Sequence, residues 1–182
     1  MNILLTGGAG YIGSHTAIVL TEAGHHVVIL DNFCNSNQSV LFRLKQILNK
    51  ELTCVTGDVR DTALVAQVLQ AHQIDAVIHF AGLKAVGESA EKPIEYYANN
   101  VQGTISLLEA MQLADVKTLV FSSSATVYGD PQYLPIDESH PLSATNPYGR
   151  SKLQIEEILK DVAKSDAQWK IICLRYLSLI HI

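Results

Sequence analysis

The chain has 182 residues, of which 48% are hydrophobic and 17% are charged. This apolar fraction excludes a disordered segment, and the length can bury one core, so we expect a single domain. The 13 Lys and Arg residues against 18 Asp and Glu leave a net charge of -5, which argues against nucleic acid or an anionic membrane as a partner.

Short apolar runs alternate with longer segments of helical periodicity, which predicts repeated strand–helix units and a parallel sheet. Predicted strands cover residues 3–5, 27–30, 53–55, 76–80, 118–121 and 170–174. Predicted helices cover residues 11–23, 41–48, 62–71, 94–111 and 148–164. This alternation predicts an α/β fold with a doubly wound parallel sheet of the Rossmann type, whose ligand lies at the carboxyl ends of the strands where their order reverses.

A glycine-rich segment joins the first strand to the first helix, with the sequence Thr6-Gly7-Gly8-Ala9-Gly10-Tyr11-Ile12-Gly13. Glycines at a helix N-terminus let a pyrophosphate approach the backbone amides without meeting a Cβ. Two registers fit: Gly8, Gly10 and Gly13 give G-x-G-x-x-G, whereas a start at Gly7 gives G-x-x-G-x-x-G. A plain tight turn is the alternative, and sequence physics alone does not choose between the registers.

The second strand ends at Asp31, the position from which a dinucleotide fold contacts the adenosine ribose. A carboxylate there accepts hydrogen bonds from ribose hydroxyls and repels a 2′-phosphate, so we favour NAD over NADP. The alternative is a turn residue, since Asp-Asn commonly opens a turn.

A tyrosine and a lysine lie four residues apart at the start of the last predicted helix, at Tyr148 and Lys152. The two side chains share a helix face, and a neighbouring ammonium favours phenolate, which makes proton transfer with a substrate hydroxyl feasible. An exposed helix pair is the alternative. Hydroxyls at the end of the fifth strand, in Ser122-Ser123-Ser124, favour the catalytic interpretation because one of them can bond the same substrate oxygen.

Neither a membrane span nor a metal site is expected from the sequence. The chain begins without a basic segment, and no stretch approaches the roughly 18 apolar residues that a span needs. The three cysteines, Cys34, Cys54 and Cys173, are far apart and lack histidines at ligand spacing, so neither a zinc site nor a disulfide framework is predicted. We expect a cytoplasmic protein.

Together these motifs resemble the extended short-chain dehydrogenase/reductase family, which uses the register that starts at Gly7. Within it, the residues resemble the enzymes that epimerise a UDP-sugar at C4, most specifically in His79-Phe80-Ala81-Gly82-Leu83-Lys84-Ala85-Val86-Gly87-Glu88-Ser89. Further matching segments are residues 10–15, 31–32, 57–60 and 122–129, so the resemblance extends from Met1 to about Tyr176.

The resemblance implies roles for individual residues. Tyr148, Lys152 and Ser124 would be catalytic: Ser124 and Tyr148 would contact the sugar C4 oxygen, and Lys152 would hold the nicotinamide ribose and lower the tyrosine pKa. The residues that would contact NAD are Gly7, Gly10, Tyr11, Ile12, Gly13, Asp31, Asn32, Phe33, Cys34, Asn35, Ser36, Asp58, Val59, Phe80, Ala81, Gly82, Leu83, Lys84, Asn99, Ser124, Tyr148 and Lys152. The choice of Asn99 over its neighbour Asn100 stays open.

The implied chemistry is interconversion of UDP-glucose and UDP-galactose by transient oxidation at C4, with NAD as the cofactor. A sugar-nucleotide 4,6-dehydratase is less favoured, because Ala125-Thr126 follows the serine where dehydratases typically carry an acidic pair. Another UDP-sugar 4-epimerase and a non-catalytic NAD-binding fragment stay open. The segments 94–111 and 148–164 resemble helices through which family members dimerise, which implies a homodimer for the full-length parent.

The resemblance ends at the carboxyl end of the sequence. Residues 1–176 correspond to the NAD-binding domain, whereas residues 177–182, Leu-Ser-Leu-Ile-His-Ile, depart from the family pattern of Phe-Asn-Pro. We therefore expect a truncated chain that lacks the smaller substrate domain, with an atypical and non-native tail. Weak or absent turnover by this chain is expected on the same ground.

Overall fold

The computed structural model describes residues 1–176, and the expectation about the 177–182 tail lies outside these described residues. Its centre is a parallel sheet of six strands: β1 Asn2–Thr6, β2 His26–Asp31, β3 Thr53–Thr56, β4 Ala76–His79, β5 Thr118–Ser124 and β6 Lys170–Tyr176. The strand order is β3-β2-β1-β4-β5-β6. The order reverses between β1 and β4, which confirms the doubly wound fold and puts the ligand crevice beyond their carboxyl ends.

Helices cover both faces of the sheet, as right-handed crossovers between parallel strands require. Their bounds are α1 Tyr11–Glu22, α2 Ser39–Leu48, α3 Thr62–Ala71, α4 Val86–Glu91, α5 Pro93–Tyr96, α6 Gly103–Leu113 and α7 Pro147–Ser165. A π-helical stretch, Tyr97–Gln102, joins α5 to α6. No helix among the described residues is long and apolar enough to cross a membrane.

The largest difference from the sequence prediction lies in the segment expected to be one helix over 94–111. The structure continues the helical path from Pro93 to Leu113 but widens it to π-helical over six residues that include Asn99 and Asn100. Such widenings leave backbone groups free to bond elsewhere and often occur at functional sites. Helix α4 was not predicted, because it is only six residues long and contains Gly87.

Two buried clusters lie on opposite faces of the sheet. The larger joins Leu4, Val77 and Phe121 to α3, α6 and α7, and the smaller joins Leu5 and Ile29 to α1 and α2. Both clusters lie beneath the carboxyl ends of the strands. The packed sheet therefore holds the strand ends, and the loops that leave them, in fixed relative positions.

Candidate active site

A cleft of about 800 Å³ opens at the carboxyl ends of the strands and is lined by the segments that follow the first five strands and by the last residue of β6, Tyr176. It brings together every residue to which the sequence resemblance gave a role, except Phe33. The lining residues from that set are Gly7, Gly10, Tyr11, Ile12, Gly13, Asp31, Asn32, Cys34, Asn35, Ser36, Asp58, Val59, Phe80, Ala81, Gly82, Leu83, Lys84, Asn99, Ser124, Tyr148 and Lys152.

Phe33 is the exception, and the backbone explains why. Its φ of 57° lies in the left-handed region, and its side chain packs against the smaller core cluster instead of lining the cleft. Only its amide takes part in the site, donating to Asp31 Oδ1 at 2.9 Å. The Phe33 side chain therefore lies outside the cleft lining, and the contact of Phe33 with the cofactor stays a prediction.

The glycine loop adopts the register that starts at Gly7. Gly7, Gly10 and Gly13 line the cleft, whereas Gly8 is buried against Leu5 and Ile29. Gly7 has a φ of +67°, and a Cβ there would lie 2.6 Å from the amide nitrogen of Ala81. The loop can therefore approach β4 only because residue 7 is glycine.

Asp31 joins this loop to the end of β2. Its buried carboxylate accepts from the Ala9 amide at 2.9 Å through Oδ2, and from the Phe33 amide and the Ser36 hydroxyl through Oδ1, both also at 2.9 Å. A turn residue would need only the local bonds. The bond to Ala9, 22 positions away, shows that Asp31 also holds the glycine loop in place.

At the end of β3, Asp58 forms an exposed cluster with Asn32 and Arg60. Its carboxylate accepts from Arg60 Nε at 2.9 Å, from Arg60 Nη2 at 2.7 Å and from Asn32 Nδ2 at 3.1 Å. The hydrogen bonds from Arg60 hold the pKa of Asp58 well below its usual range. Asp58 is therefore ionised and held in place at the rim of the cleft.

The two neighbouring asparagines in the π-helical stretch have different positions. Asn99 lines the cleft, whereas Asn100 is 2% exposed and lies behind it. Asn100 Oδ1 accepts from the Leu83 amide at 2.8 Å, while its Nδ2 donates to the Leu83 carbonyl at 3.0 Å and to Ser151 Oγ at 3.1 Å. Asn100 thus joins the cleft wall at Leu83 to the helix that carries Tyr148 and Lys152.

The three serines at the end of β5 have three different partners, and the side chains of Ser123 and Ser124 face opposite sides of the sheet, as successive residues of a strand do. The Ser122 carbonyl accepts from Lys152 Nζ at 2.8 Å, and Ser123 Oγ donates to the buried carboxylate of Glu156. Ser124 Oγ accepts from both the amide and the hydroxyl of Thr126, at 3.2 and 3.0 Å. These bonds leave the Ser124 proton free to donate toward Tyr148.

Helix α7 presents Tyr148 and Lys152 from its first turns. Asn146 caps the helix by accepting from the Gly149 amide at 2.8 Å, and Pro147 occupies the first helical position. Burial raises the pKa of Tyr148, and a hydrogen bond from Ser124 partly offsets this. Lys152 Nζ lies 5.9 Å from the centre of the Tyr148 ring. In this structure the hydrogen bond from Ser124 is the cause that lowers the tyrosine pKa, and the effect expected of Lys152 stays a prediction.

Eight further residues line the cleft to which the resemblance gave no individual role: Leu30, Gly57, Ala85, Val86, Ser122, Ser123, Thr126 and Tyr176. All but Tyr176 lie within two positions of a predicted site residue. Tyr176 pairs with Ser124 across β5 and β6, so extending the last predicted strand by two residues would have placed it there. Among residues 1–176, no group of three or more His, Cys, Asp or Glu side chains could hold a metal ion.

The profile of the NAD dependent epimerase/dehydratase family matches residues 3–180, nearly the whole sequence. The chain belongs to this family. Among curated family members, it is 57% identical over 177 residues to a UDP-glucose 4-epimerase from Yersinia pestis and 53% identical over 176 residues to one from Bacillus subtilis. In both comparisons the match covers 97% of this chain and 52% of the relative.

Solved structures of the family share the fold closely. A UDP-glucose 4-epimerase from Stenotrophomonas maltophila, with bound NAD and formylated UDP-arabinopyranose, has a TM-score of 0.95 and is 49% identical. One from Bifidobacterium longum, in complex with NAD+ and UDP, has a TM-score of 0.94 and is 52% identical. The match covers 97% of this chain in both, with 52% and 53% of the respective relatives. The chain therefore spans about half the length of the family members that it matches.

The buried ammonium of Lys152 should lower the free energy of unfolding at neutral pH. Lys152 is 5% exposed, and burial lowers its pKa from 10.5 to about 8. Below pH 8 the folded chain carries the full cost of a desolvated ammonium. Between about pH 8 and 10.5 the folded chain loses this proton before the unfolded chain does, so the cost disappears as pH rises.

We therefore expect Lys152→Met to raise the free energy of unfolding at pH 7 by about 2 kcal/mol, an advantage that shrinks toward pH 10. Urea denaturation across this pH range measures the effect. Lys160→Met, on the same helix with an exposed ammonium paired to Glu157, is the control and should change stability by less than about 0.5 kcal/mol. A variant that is less stable than the wild type at pH 7 would contradict the argument.

Proposed function

We propose that this chain binds NAD and supplies the proton-transfer groups of an enzyme that interconverts UDP-glucose and UDP-galactose. The observation that carries the proposal is the convergence of Ser124, Tyr148 and Lys152 at one end of a cleft whose other end has a glycine loop and a buried aspartate. Membership of the family and the similarity to UDP-glucose 4-epimerases support the same activity.

The cleft residues fit a dinucleotide. Gly10 precedes α1 and would meet only the Gly7 carbonyl, at 3.2 Å, if it carried a Cβ, so the helix N-terminus is open to a pyrophosphate. Asp31 at the end of β2 offers carboxylate oxygens to ribose hydroxyls, and Asp58 and Val59 lie farther along the same rim. When bound, NAD would supply reversible hydride transfer at the sugar C4.

The chain's own residues would move and hold the proton. Tyr148 would accept the proton of the C4 hydroxyl, and Ser124, oriented by its two bonds from Thr126, would donate a hydrogen bond to the same oxygen. Lys152, whose ammonium is buried beside Gly82 and the Ser122 carbonyl, would hold the ribose next to the reacting carbon. Burial raises the pKa of Tyr148, so its activation would depend on neighbouring groups that favour the phenolate, namely the hydrogen bond from Ser124 and the ammonium of Lys152.

A dehydratase is the second candidate, and Ala125 and Thr126 disfavour it. They form the short 3-10 turn after Ser124, where elimination of water would need an acid. The Thr126 hydroxyl instead donates a hydrogen bond to Ser124 Oγ. Other UDP-sugars stay possible substrates, since members that act on N-acetylated sugars share this fold.

The first experiment measures cofactor binding by isothermal titration of the chain with NAD and with NADP. We expect NAD to bind at least about tenfold more tightly, because Asp31 repels a 2′-phosphate. Purified material is then incubated with UDP-galactose, and UDP-glucose is quantified. NAD binding without conversion would support the non-catalytic alternative for this chain, and equal binding of NADP would contradict the role of Asp31.

We also propose that the full-length protein is a homodimer and that it works in the cytoplasm. Helix α7 has a shallow apolar hollow on its outer side, lined by Leu153 and Ile158, and Ile94 and Ile105 are exposed on the neighbouring helical path. A second copy of the chain would cover these side chains, and sedimentation velocity of the full-length protein tests whether it is a dimer.

The proposal of a cytoplasmic location rests on the cysteines. Three free thiols, one of them exposed at Cys34, fit a reducing compartment.

A further inference from the structure

A fully buried tyrosine behind the cleft has no part in the proton transfer described above. Tyr96 is 0% exposed and ends α5, just before the π-helical stretch. Its hydroxyl accepts from the Ala85 amide at 3.0 Å. The Ala85 carbonyl, at 2.8 Å, and Glu88 Oε2, at 2.9 Å, are both within reach of its single proton.

Tyr96 and Asn100 are four positions apart and therefore share one side of the helical path. Asn100 bonds the amide and carbonyl of Leu83, and Tyr96 reaches the amide and carbonyl of Ala85, two residues further along. Two side chains thus bond alternate residues of an irregular segment, as a neighbouring β-strand would through its backbone. No regular secondary structure covers residues 80–85, so these bonds replace the missing ladder.

The segment held in this way forms a wall of the proposed cofactor site. Leu83, Lys84 and Ala85 line the cleft, and a Cβ on Gly82 would lie 3.6 Å from Lys152 Nζ. Tyr148 is also close enough to contribute to the raised pKa of Tyr96, which burial and Glu88 bring to about 12. The Tyr96 hydroxyl therefore keeps its proton and can donate throughout the neutral range.

We propose that Tyr96 is a positioning residue whose hydroxyl fixes Ala85 and thereby holds the cleft wall of residues 82–85 beside Lys152 in the geometry that binds the nicotinamide half of NAD. The proposal rests on the proposed NAD site. It assigns Tyr96 no contact with cofactor or substrate, since its hydroxyl is turned toward Ala85 and Glu88.

The test is Tyr96→Phe in this chain, with Tyr97→Phe as the matched control. Tyr97 undergoes the same loss of a hydroxyl one residue away, and its side chain forms no hydrogen bond within residues 1–176. Amide hydrogen exchange is measured at Leu83 and Ala85, with the β1 amides reporting that the sheet stays intact. NAD affinity is measured by titration calorimetry, and urea denaturation gives the global stability.

In Tyr96→Phe we expect the Ala85 amide to exchange about tenfold faster, the Leu83 amide to keep its rate, and the NAD dissociation constant to rise about fivefold. Tyr97→Phe should leave all three values unchanged. Unchanged exchange at Ala85, or the same change in both variants, would overturn the proposal. Faster exchange with unchanged NAD affinity would also overturn it, because Tyr96 would then be structural only. Absence of NAD binding in the unmodified chain would instead overturn the proposed function, while exchange at Ala85 would still decide whether Tyr96 holds this wall.

Discussion

Replacing Tyr148 with phenylalanine should lower turnover of UDP-galactose by about 10²–10⁴-fold, the usual contribution of a positioned acid–base group. The phenyl ring keeps the packing of the half-buried tyrosine against the cleft, but it has no oxygen to accept the C4 proton or the hydrogen bond from Ser124. Because the chain spans half the length of its relatives, turnover is measured in a fusion of residues 1–176 to the second half of the Yersinia pestis relative. NAD affinity of the same fusion is measured alongside.

The control for this experiment is Tyr133→Phe, which removes a hydroxyl from an exposed tyrosine in the loop before α7. It should keep the turnover of the unmodified fusion. We expect Tyr133→Phe to bind NAD as the unmodified fusion does, and Tyr148→Phe to keep NAD binding as well, because it changes only one hydroxyl among the predicted cofactor residues. Tyr148→Phe turnover within about threefold of the unmodified fusion would mean that another group carries the proton.

Gly7→Ala should reduce the free energy of unfolding by about 3 kcal/mol or more. Residue 7 has a φ of +67°, which costs any residue with a Cβ about 1 kcal/mol, and the added carbon would also lie 2.6 Å from Ala81 N and 2.8 Å from Ala81 Cα. These atoms belong to the backbone that leaves β4, so the loop and the strand end must separate. Urea denaturation measures the loss, and NAD binding should fall with it.

The Gly24→Ala variant separates the cost of a positive φ from the cost of the steric contact with Ala81. Gly24 has a φ of +84°, but a Cβ there would meet nothing within 4 Å, so only the conformational cost of about 1 kcal/mol applies. The difference between the two variants measures the close approach of the glycine loop to β4. Equal losses would show that the loop can retreat from Ala81 without cost.

Much of the fold follows from local sequence patterns. The six apolar runs became the six strands with bounds changed by one to three residues, and the helix predicted over residues 62–71 has those bounds in the structure. These elements depend on local periodicity and, for Thr62–Ala71, on the Asp61 cap. The π-helical widening could not be predicted, because it depends on bonds that Asn100 forms with Leu83 and Ser151, 17 and 51 positions away.

The site residues that follow a strand were predictable because the strands themselves were. The directions of individual side chains and their pKa values depend on backbone angles and tertiary contacts, which the sequence does not report. Phe33 belongs to a segment of predicted cofactor residues, yet with its left-handed φ its half-buried side chain packs against the smaller core cluster. The opposite directions of the Ser123 and Ser124 side chains would follow from strand alternation, but only once β5 is known to extend to residue 124. The pKa of Tyr148 depends on burial, which sequence spacing does not report.

The strand order also governs how the sheet can form during synthesis. β1, β2 and β3 are consecutive in the chain and adjacent in the sheet, so they and α1 to α3 can assemble as soon as about the first 70 residues are made. The other edge of β1 pairs with β4, where Ile3 meets Ala76, 73 positions later. Until β4 is made, the nascent half-sheet exposes the unpaired edge of β1, and such an edge is a template for pairing with other chains.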